Sequence, residues 1–276
     1  MASALEVWGD PIEHSLSPRL HAAAYQLLGW DWTYGRRRVD ERSFAGELAG
    51  LEGDFRGLSL TMPLKGVAFA AAHTRDTRAE ATGAVNTLVR DAAGWRGFNT
   101  DVGGIVAAFA DAGIDRIDRA RIVGAGATAT SAVVALAELG ADRIEVVARR
   151  PEAAAPLVAL GAKLGVSVDA SSIDQPDSAP MDVTIGTLPG GVVLAEPIAE
   201  RLAEDGGGLM DVVYGHWPTS LSVAWTRVGL PVQDGTGMLL HQAVRQIRAF
   251  STGDVIEPLP DEAAVVDVMR RALMGD

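Results

Sequence analysis

The chain has 276 residues, 48% of them hydrophobic and 22% charged, with a formal net charge of −12 and no cysteine. This composition builds a folded core and excludes a disordered chain, and the length allows one large domain or two of ordinary size. The acidic balance argues against general nucleic-acid or anionic-membrane binding, so an anionic ligand needs local positive charge and backbone N–H groups. The missing cysteines exclude disulfides, thiolate catalysis and cysteine-type zinc sites, and they fit a reducing cytoplasm. Met1 to Asp10 lacks a basic segment followed by an apolar run, so no signal peptide is expected. No apolar run reaches membrane-spanning length.

Leu5 to Trp8 reads as a buried strand. In Ser15-Leu16-Ser17-Pro18 the pattern predicts a helix with Ser17 at the N-cap and Pro18 at the first helical position, stopping at Gly29. Ser15 and Ser17 then stand at a helix mouth, where hydroxyls and free N–H groups can bind a carboxylate. The plain alternative is that Ser17 only caps. His14 and His21 have no metal-type partners nearby and read as ordinary polar residues; no metal site is expected. A strand is expected over 31–38 and a short helix over 41–49. Phe55 to Leu60 alternates like a strand and runs into Thr61-Met62-Pro63-Leu64-Lys65, where Pro63 suggests a helix start. Lys65 then lies in a first turn, where the helix field disfavours a cation and readies it to exchange a proton. The alternative is a snorkelling surface lysine.

Thr82 to Val89 reads as a strand entered through Gly83, Asp91 to Gly94 as a turn, and Trp95 to Phe98 as the returning strand. Asn99-Thr100-Asp101 opens a helix to about Ala112. An acid in a first turn is favourable with no function at all, and Asn86 reads equally well as a turn or cap residue.

Arg121-Ile122-Val123-Gly124-Ala125-Gly126-Ala127-Thr128-Ala129 reads as a strand, a glycine turn and the start of a helix to about Leu139. Gly124 allows the tight turn, Gly126 a close approach to a pyrophosphate, and Ala129 close helix–strand packing. The free N–H groups at the helix start suit phosphate. An ordinary loop is the competing reading, but a second strand over 144–148 supplies the context a dinucleotide site needs. That strand ends in Arg149-Arg150 rather than an acid, and two guanidinium groups suit a ribose 2′-phosphate, favouring NADP over NAD. Two solvated arginines are the plain alternative. Beyond it come a helix over 152–164, a short strand over 166–168, a polar loop over 171–180 and a strand over 182–185 ending at Gly186-Thr187. A helix within 196–204, a strand over 209–213 leading into Tyr214, a helix over 220–228 and a strand near 231–233 follow. Strands alternating with helices imply a doubly wound parallel sheet, its ligand at the strand carboxyl ends, where Gly124 to Ala129, Arg149, Thr187 and Tyr214 fall. The turn cluster Asp234-Gly235-Thr236-Gly237 precedes a long helix to about Phe250 carrying Gln242, and a last helix spans 261–273.

These motifs together resemble the shikimate dehydrogenase family over nearly the whole chain. The pieces are His14-Ser15-Leu16-Ser17-Pro18, Thr61-Met62-Pro63-Leu64-Lys65, Gly83-Ala84-Val85-Asn86-Thr87, Asn99-Thr100-Asp101, the Gly124 turn, Asp211-Val212-Val213-Tyr214 and Gly237-Met238-Leu239-Leu240-His241-Gln242-Ala243. Each is weak alone; their order and spacing are specific. The resemblance implies an α/β enzyme of two domains: an α/β substrate domain over 1–102 plus 238–276 and a Rossmann-type doubly wound dinucleotide-binding domain over 103–237. It implies hydride transfer between NADP and C3 of shikimate, in aromatic amino-acid biosynthesis. Ser15 and Ser17 would hold the substrate carboxylate, and Thr61, Asn86, Tyr214 and Gln242 would surround its ring and hydroxyls. Lys65 would exchange the hydroxyl proton with Asp101 as partner. Gly124, Ala125, Gly126, Ala127, Thr128, Arg149, Arg150, Thr187 and Gly235 would bind the cofactor. A neighbouring carboxylate and the helix field act on Lys65 in opposite senses, which leaves open whether it carries the proton or chiefly positions. The chain departs from the family pattern at Ser59 (usually asparagine), Ala127 (glycine), Pro151 (threonine) and Gly186 (asparagine), and in His216 after Tyr214. An NAD-preferring quinate/shikimate dehydrogenase and a non-catalytic dinucleotide sensor are the alternatives; monomer or homodimer stays open.

Overall fold

The structure, a computed structural model, describes residues 3–51, 53 and 55–275. The chain divides into two compact units, 1–104 with 239–276, and 105–238.

The first unit begins with β1 (Ser3–Gly9), α1 (Ser17–Leu28), β2 (Trp32–Arg38), α2 (Phe44–Ala49), β3 (Phe55–Leu60) and α3 (Lys65–Ala71). It continues through β4 (Thr74–Arg75), α4 (Thr77–Thr82), β5 (Thr87–Asp91), β6 (Gly94–Phe98) and α5 (Thr100–Asp111), whose last turns belong to the second unit. Its six strands form one mixed sheet in the order β2-β1-β3-β5-β6-β4. β1 pairs in parallel with β2 and β3, whereas β5 runs antiparallel to β3 and β6. Strand alternation splits the apolar residues between two faces. Leu5, Val89 and Phe98 join one core with Leu20, Tyr25, Ile247 and Phe250, while Trp8, Leu58 and Leu88 join another with Phe44, Leu64 and Val85.

Two features differ from the sequence reading here. Thr82 to Val89 is not one strand. The Asp76 carboxylate accepts from the Ala79 amide and starts α4, Gly83 ends it at a φ of 64°, and pairing begins only at Thr87. Ala84 and Val85 are buried and apolar, which is why they look strand-like, yet the Val85 amide donates to the Lys65 carbonyl instead. Ser17 is also not the cap of α1. It lies inside the helix, the N-cap is Leu16, and no side chain caps that end.

The second unit contains β7 (Arg119–Val123), α6 (Ala127–Glu138), β8 (Arg143–Ala148), a 3₁₀ turn (Pro151–Ala154), α7 (Ala155–Leu164) and β9 (Ser167–Ser172). Then come β10 (Val183–Gly186), α8 (Glu196–Glu204), β11 (Gly208–Asp211), α9 (Ser220–Arg227) and β12 (Val232–Gln233). Its sheet is parallel throughout, in the order β12-β11-β10-β7-β8-β9. Counted from β7, that is the doubly wound arrangement whose order reverses between its first and fourth strands, here β7 and β10. A buried ion pair crosses the sheet from Arg121 Nε to Glu145 Oε2 at 2.7 Å, and Arg121 also donates to the carbonyls of Asp177 and Leu202. The chain returns to the first unit along α10 (Thr236–Thr252) and ends in α11 (Glu262–Met274). No helix among the described residues is long and apolar enough to cross a membrane.

Candidate active site

In the first unit, β3 delivers the chain to the Thr61 turn and Lys65 becomes the first residue of α3. From there its Nζ reaches Asp101 Oδ2 at 2.6 Å, with the two side chains only 15% and 7% exposed. Lys65 is therefore no snorkelling surface lysine. Asp101 sits in the first turn of α5 but does not cap it. The Asn99 carboxamide oxygen accepts from the Asp101 and Val102 amides, so capping is done by Asn99 and the Asp101 carboxylate is left for other partners. Its second oxygen accepts from Asn86 Nδ2 at 2.8 Å. Asn86 is equally committed: Nδ2 also donates to Thr100 Oγ1, and Oδ1 accepts from the Thr100 amide and the Thr87 hydroxyl. Its backbone is held too, with N–H donating to the Phe98 carbonyl and C=O accepting from the Leu60 amide. Lys65, Asp101 and Asn86 thus form one preorganised cluster, in which Asn86 also holds the first amide of α5.

Around it lie the other expected substrate groups of this unit. Gln242 is buried on α10, donates to the Leu239 carbonyl, and lies 3.5 Å from Thr100 Oγ1. Thr61 is half-buried. Ser17 is 7% exposed, and the Ser15 hydroxyl accepts from its amide at 3.4 Å. The amides of Arg19 and Leu20 turn back to the Leu16 carbonyl and Pro18 carries no N–H, so what this end of α1 offers a carboxylate is the pair of hydroxyls of Ser15 and Ser17.

Four residues of the cluster's surroundings escaped the sequence reading: Tyr34, Thr87, Thr100 and Gln246. Gln246 stands one turn beyond Gln242, a spacing that places both on one helix face and could have flagged it. His21, read as an ordinary polar residue, is fully buried. Its ring stacks on Tyr34 with centroids 3.9 Å apart, Nδ1 meets the Tyr25 hydroxyl at 2.9 Å, and burial pushes its pKa down to about 3.

In the second unit, Gly124 follows β7 at a φ of 114°, and a Cβ there would lie 2.6 Å from Thr187 Oγ1. Only glycine fits both demands. Thr187 closes the loop by donating its amide and hydroxyl to the Val123 carbonyl. Gly126 is the N-cap of α6 and offers no side chain, so the first amides of Ala127, Thr128 and their successors lack a side-chain cap. Ala125 is half-buried within this loop. Arg149 and Arg150 follow β8, both exposed, with no ion pair among the described residues. Gly235 donates to the Val213 carbonyl, and a Cβ there would lie 2.1 Å from the Val212 carbonyl oxygen, so close packing accounts for it. Tyr214 is 37% exposed after β11. The departure at Gly186 has a local reason: a Cβ would press at 3.1 Å on the Asp211 carboxyl, which burial raises above its ordinary pKa and which accepts from the Thr219 hydroxyl.

A doubly wound sheet with a glycine turn at its switch point, joined to a unit holding a buried lysine–aspartate pair, defines the class of nicotinamide-dependent α/β oxidoreductases. The family model described as shikimate dehydrogenase substrate binding domain matches residues 7–88. A shikimate dehydrogenase (NADP(+)) of Methylobacterium radiotolerans is 36% identical, covering 88% of this chain and 89% of that protein. The crystal structure of Mycobacterium tuberculosis shikimate dehydrogenase superimposes with a TM-score of 0.86 at 38% identity, covering 99% of this chain and 100% of that one. A Thermus thermophilus shikimate 5-dehydrogenase in complex with NADP(H) and shikimate superimposes with a TM-score of 0.80 at 28% identity, covering 98% and 99%. The chain belongs to the shikimate dehydrogenase family.

Proposed function

We propose that the protein interconverts shikimate and 3-dehydroshikimate, with NADP as hydride acceptor and donor. The observation that carries this reading is the Lys65–Asp101 pair held by Asn86. NADP, when bound, takes up or supplies the hydride. Taking a hydride from a secondary alcohol carbon is productive only if the hydroxyl proton leaves as well. Lys65 and Asp101 share that proton between them, and Lys65, the more exposed of the two, meets the substrate hydroxyl. The preorganised amide of Asn86 keeps the carboxylate oriented, so little reorganisation is needed during the reaction. Ser15 and Ser17 take the substrate carboxylate, and Thr61 and Gln242 take ring hydroxyls; the resemblance alone adds Tyr214.

The chain's residues fit the cofactor. The loop from Gly124 to Thr128 is open to a pyrophosphate, the end of α6 lacks a side-chain cap, and Thr187 packs the loop from β10. Arg149 and Arg150 are free to grip a 2′-phosphate, which is what separates NADP from NAD. In a chain of net charge −12 with no cysteine, a reducing cytoplasm is the fitting compartment.

The test is an initial-rate assay, by absorbance of the reduced cofactor, of shikimate or quinate, each with NADP or NAD. Turnover confined to shikimate with NADP supports both halves of the reading. Strong NAD turnover would make the two arginines bystanders, and silence in all four pairings with dinucleotide binding intact would leave a sensor.

A further inference from the structure

The Lys65–Asp101–Asn86 cluster continues into the protein as a chain of hydrogen bonds. Thr87 Oγ1 donates to Asn86 Oδ1 at 2.9 Å. That same oxygen accepts from Gln246 Nε2 at 3.2 Å, and Nε2 also faces the Asn86 carbonyl at 3.3 Å. Gln246 Oε1 accepts from the Ser59 hydroxyl at 2.9 Å, and Ser59 Oγ accepts from the Tyr34 phenol at 2.6 Å. The chain crosses β2, β3, the start of β5 and α10, so it ties four elements of the first unit to one carboxylate.

The direction of donation is the same at every link. Tyr34 donates to Ser59, Ser59 to Gln246, Gln246 to Thr87, Thr87 to Asn86, and Asn86 to Asp101. Reversing the Gln246 amide would face its oxygen toward the Asn86 carbonyl and its NH2 toward a hydroxyl already supplied with a donor. Reversing the Asn86 amide would face its oxygen toward the Asp101 carboxylate. Both reversals set like partners against each other in a buried site, where an unsatisfied group is costly. Burial keeps the Tyr34 phenol protonated by raising its pKa well above the ordinary range, and the neutral His21 ring stacked on it brings no competing charge. Gln246 itself is 2% exposed and Ser59 3%.

We propose that Gln246 is a positioning residue for proton transfer: acting through Thr87 and Asn86, it holds the Asp101 carboxylate against Lys65, while Ser59 and Tyr34 set the orientation of its amide. This accounts for Ser59, where the family pattern has asparagine. The Ser59 hydroxyl meets Gln246 Oε1 at 2.9 Å, and Gln246 from α10 carries the link on to Thr87 and the Asn86 carbonyl. The inference rests on the dehydrogenase reading above.

The experiment compares wild type with Gln246→Leu, Thr87→Val and Tyr34→Phe, each also combined with Asn86→Ala. Steady-state constants and the solvent deuterium isotope effect on kcat are the readouts. Gln246→Leu and Thr87→Val are expected to lower kcat about tenfold, to leave the KM for shikimate and the Kd for NADP within about twofold, and to raise the isotope effect as proton transfer becomes slower. Tyr34→Phe, at the far end, is expected to do the same more weakly. In the Asn86→Ala background none of these changes should slow the enzyme further, because their route to Asp101 is already cut. Unchanged kcat, an effect confined to KM, or losses that multiply with Asn86→Ala would overturn the inference. Thr87→Val, which keeps the side-chain shape, decides the matter if Gln246→Leu fails to fold. An active wild type with unaffected variants sinks this inference alone. A wild type inactive on shikimate sinks the functional reading and this inference with it.

Discussion

At the scale of single residues, the strongest statements concern groups that burial has deprived of alternatives. Lys65 and Asp101 pair at 2.6 Å with little exposure to solvent, and removing one strands the other in a poorly solvated site. Lys65→Ala should lower kcat by about 10²–10⁴-fold while NADP affinity is unchanged. A variant that turned over like wild type would move the chemistry elsewhere. Asp101→Asn should be comparably slow, because an amide neither balances the ammonium nor accepts its proton. His21 makes a prediction about stability instead. The unfolded imidazole takes up a proton near its ordinary pKa of about 6.5, whereas the folded one resists until about 3. Its contribution is therefore complete above that ordinary value and lost as the pH falls through the interval, by at most about 1.4 kcal/mol per unit. Urea unfolding at pH 7 and pH 5 should show wild type losing about 2 kcal/mol more over this interval than His21→Phe. Equal losses in the two proteins would mean that His21 is not the group responsible.

At the scale of elements, legibility follows the strength of local signals. Phe55 to Leu60 alternates and is a strand with those same ends, and the glycine turn after Val123 has the strand before it and helix after it that its residues suggest. β9 was only partly legible. Its polar run from Ser167 to Ser172 lies on a sheet edge, where pairing with β8 recruits a segment lacking an apolar face. The segment before β5 failed for the opposite reason, because Ala84 and Val85 are apolar but spent on packing in a bend. The site divides in the same way. Lys65, Asp101 and Asn86 carry motif signals, whereas Tyr34 acts through a contact 25 positions away and Gln246 through contacts 159 to 187 positions away, which no local pattern encodes. Asn99 illustrates an element signal with a measurable value. Its side chain caps α5 and also donates to the Thr82 hydroxyl and the Ala84 carbonyl. Asn99→Ala should cost about 1–2 kcal/mol in thermal or urea unfolding and should also loosen Asp101, lowering kcat in parallel. Stability loss without any change in kcat would show that the cap does not orient the carboxylate.

At the scale of the whole molecule, the governing fact is charge. A chain of net charge −12 must bind a cofactor and a substrate that are both anions. The long-range field opposes their approach, and it is screened over a Debye length of about 10 Å at moderate salt. Short-range contacts must therefore supply the attraction, and for a 2′-phosphate Arg149 and Arg150, exposed and without an ion pair among the described residues, are placed to do so. Replacing both with alanine should raise the KM for NADP by about 10- to 100-fold at low salt, the value of a lost charge-assisted contact of roughly 1.5–3 kcal/mol. The KM for NAD, which has no 2′-phosphate, should change by no more than about twofold under the same conditions. Salt then separates contact from field. If the arginines grip the phosphate, the wild-type advantage for NADP narrows as potassium chloride is raised, while NAD in both proteins follows one common trend set by the acidic surface. If the double variant weakens NADP and NAD alike, the arginines act only by reducing the net negative charge, and the preference for NADP must be built elsewhere in the Gly124 loop.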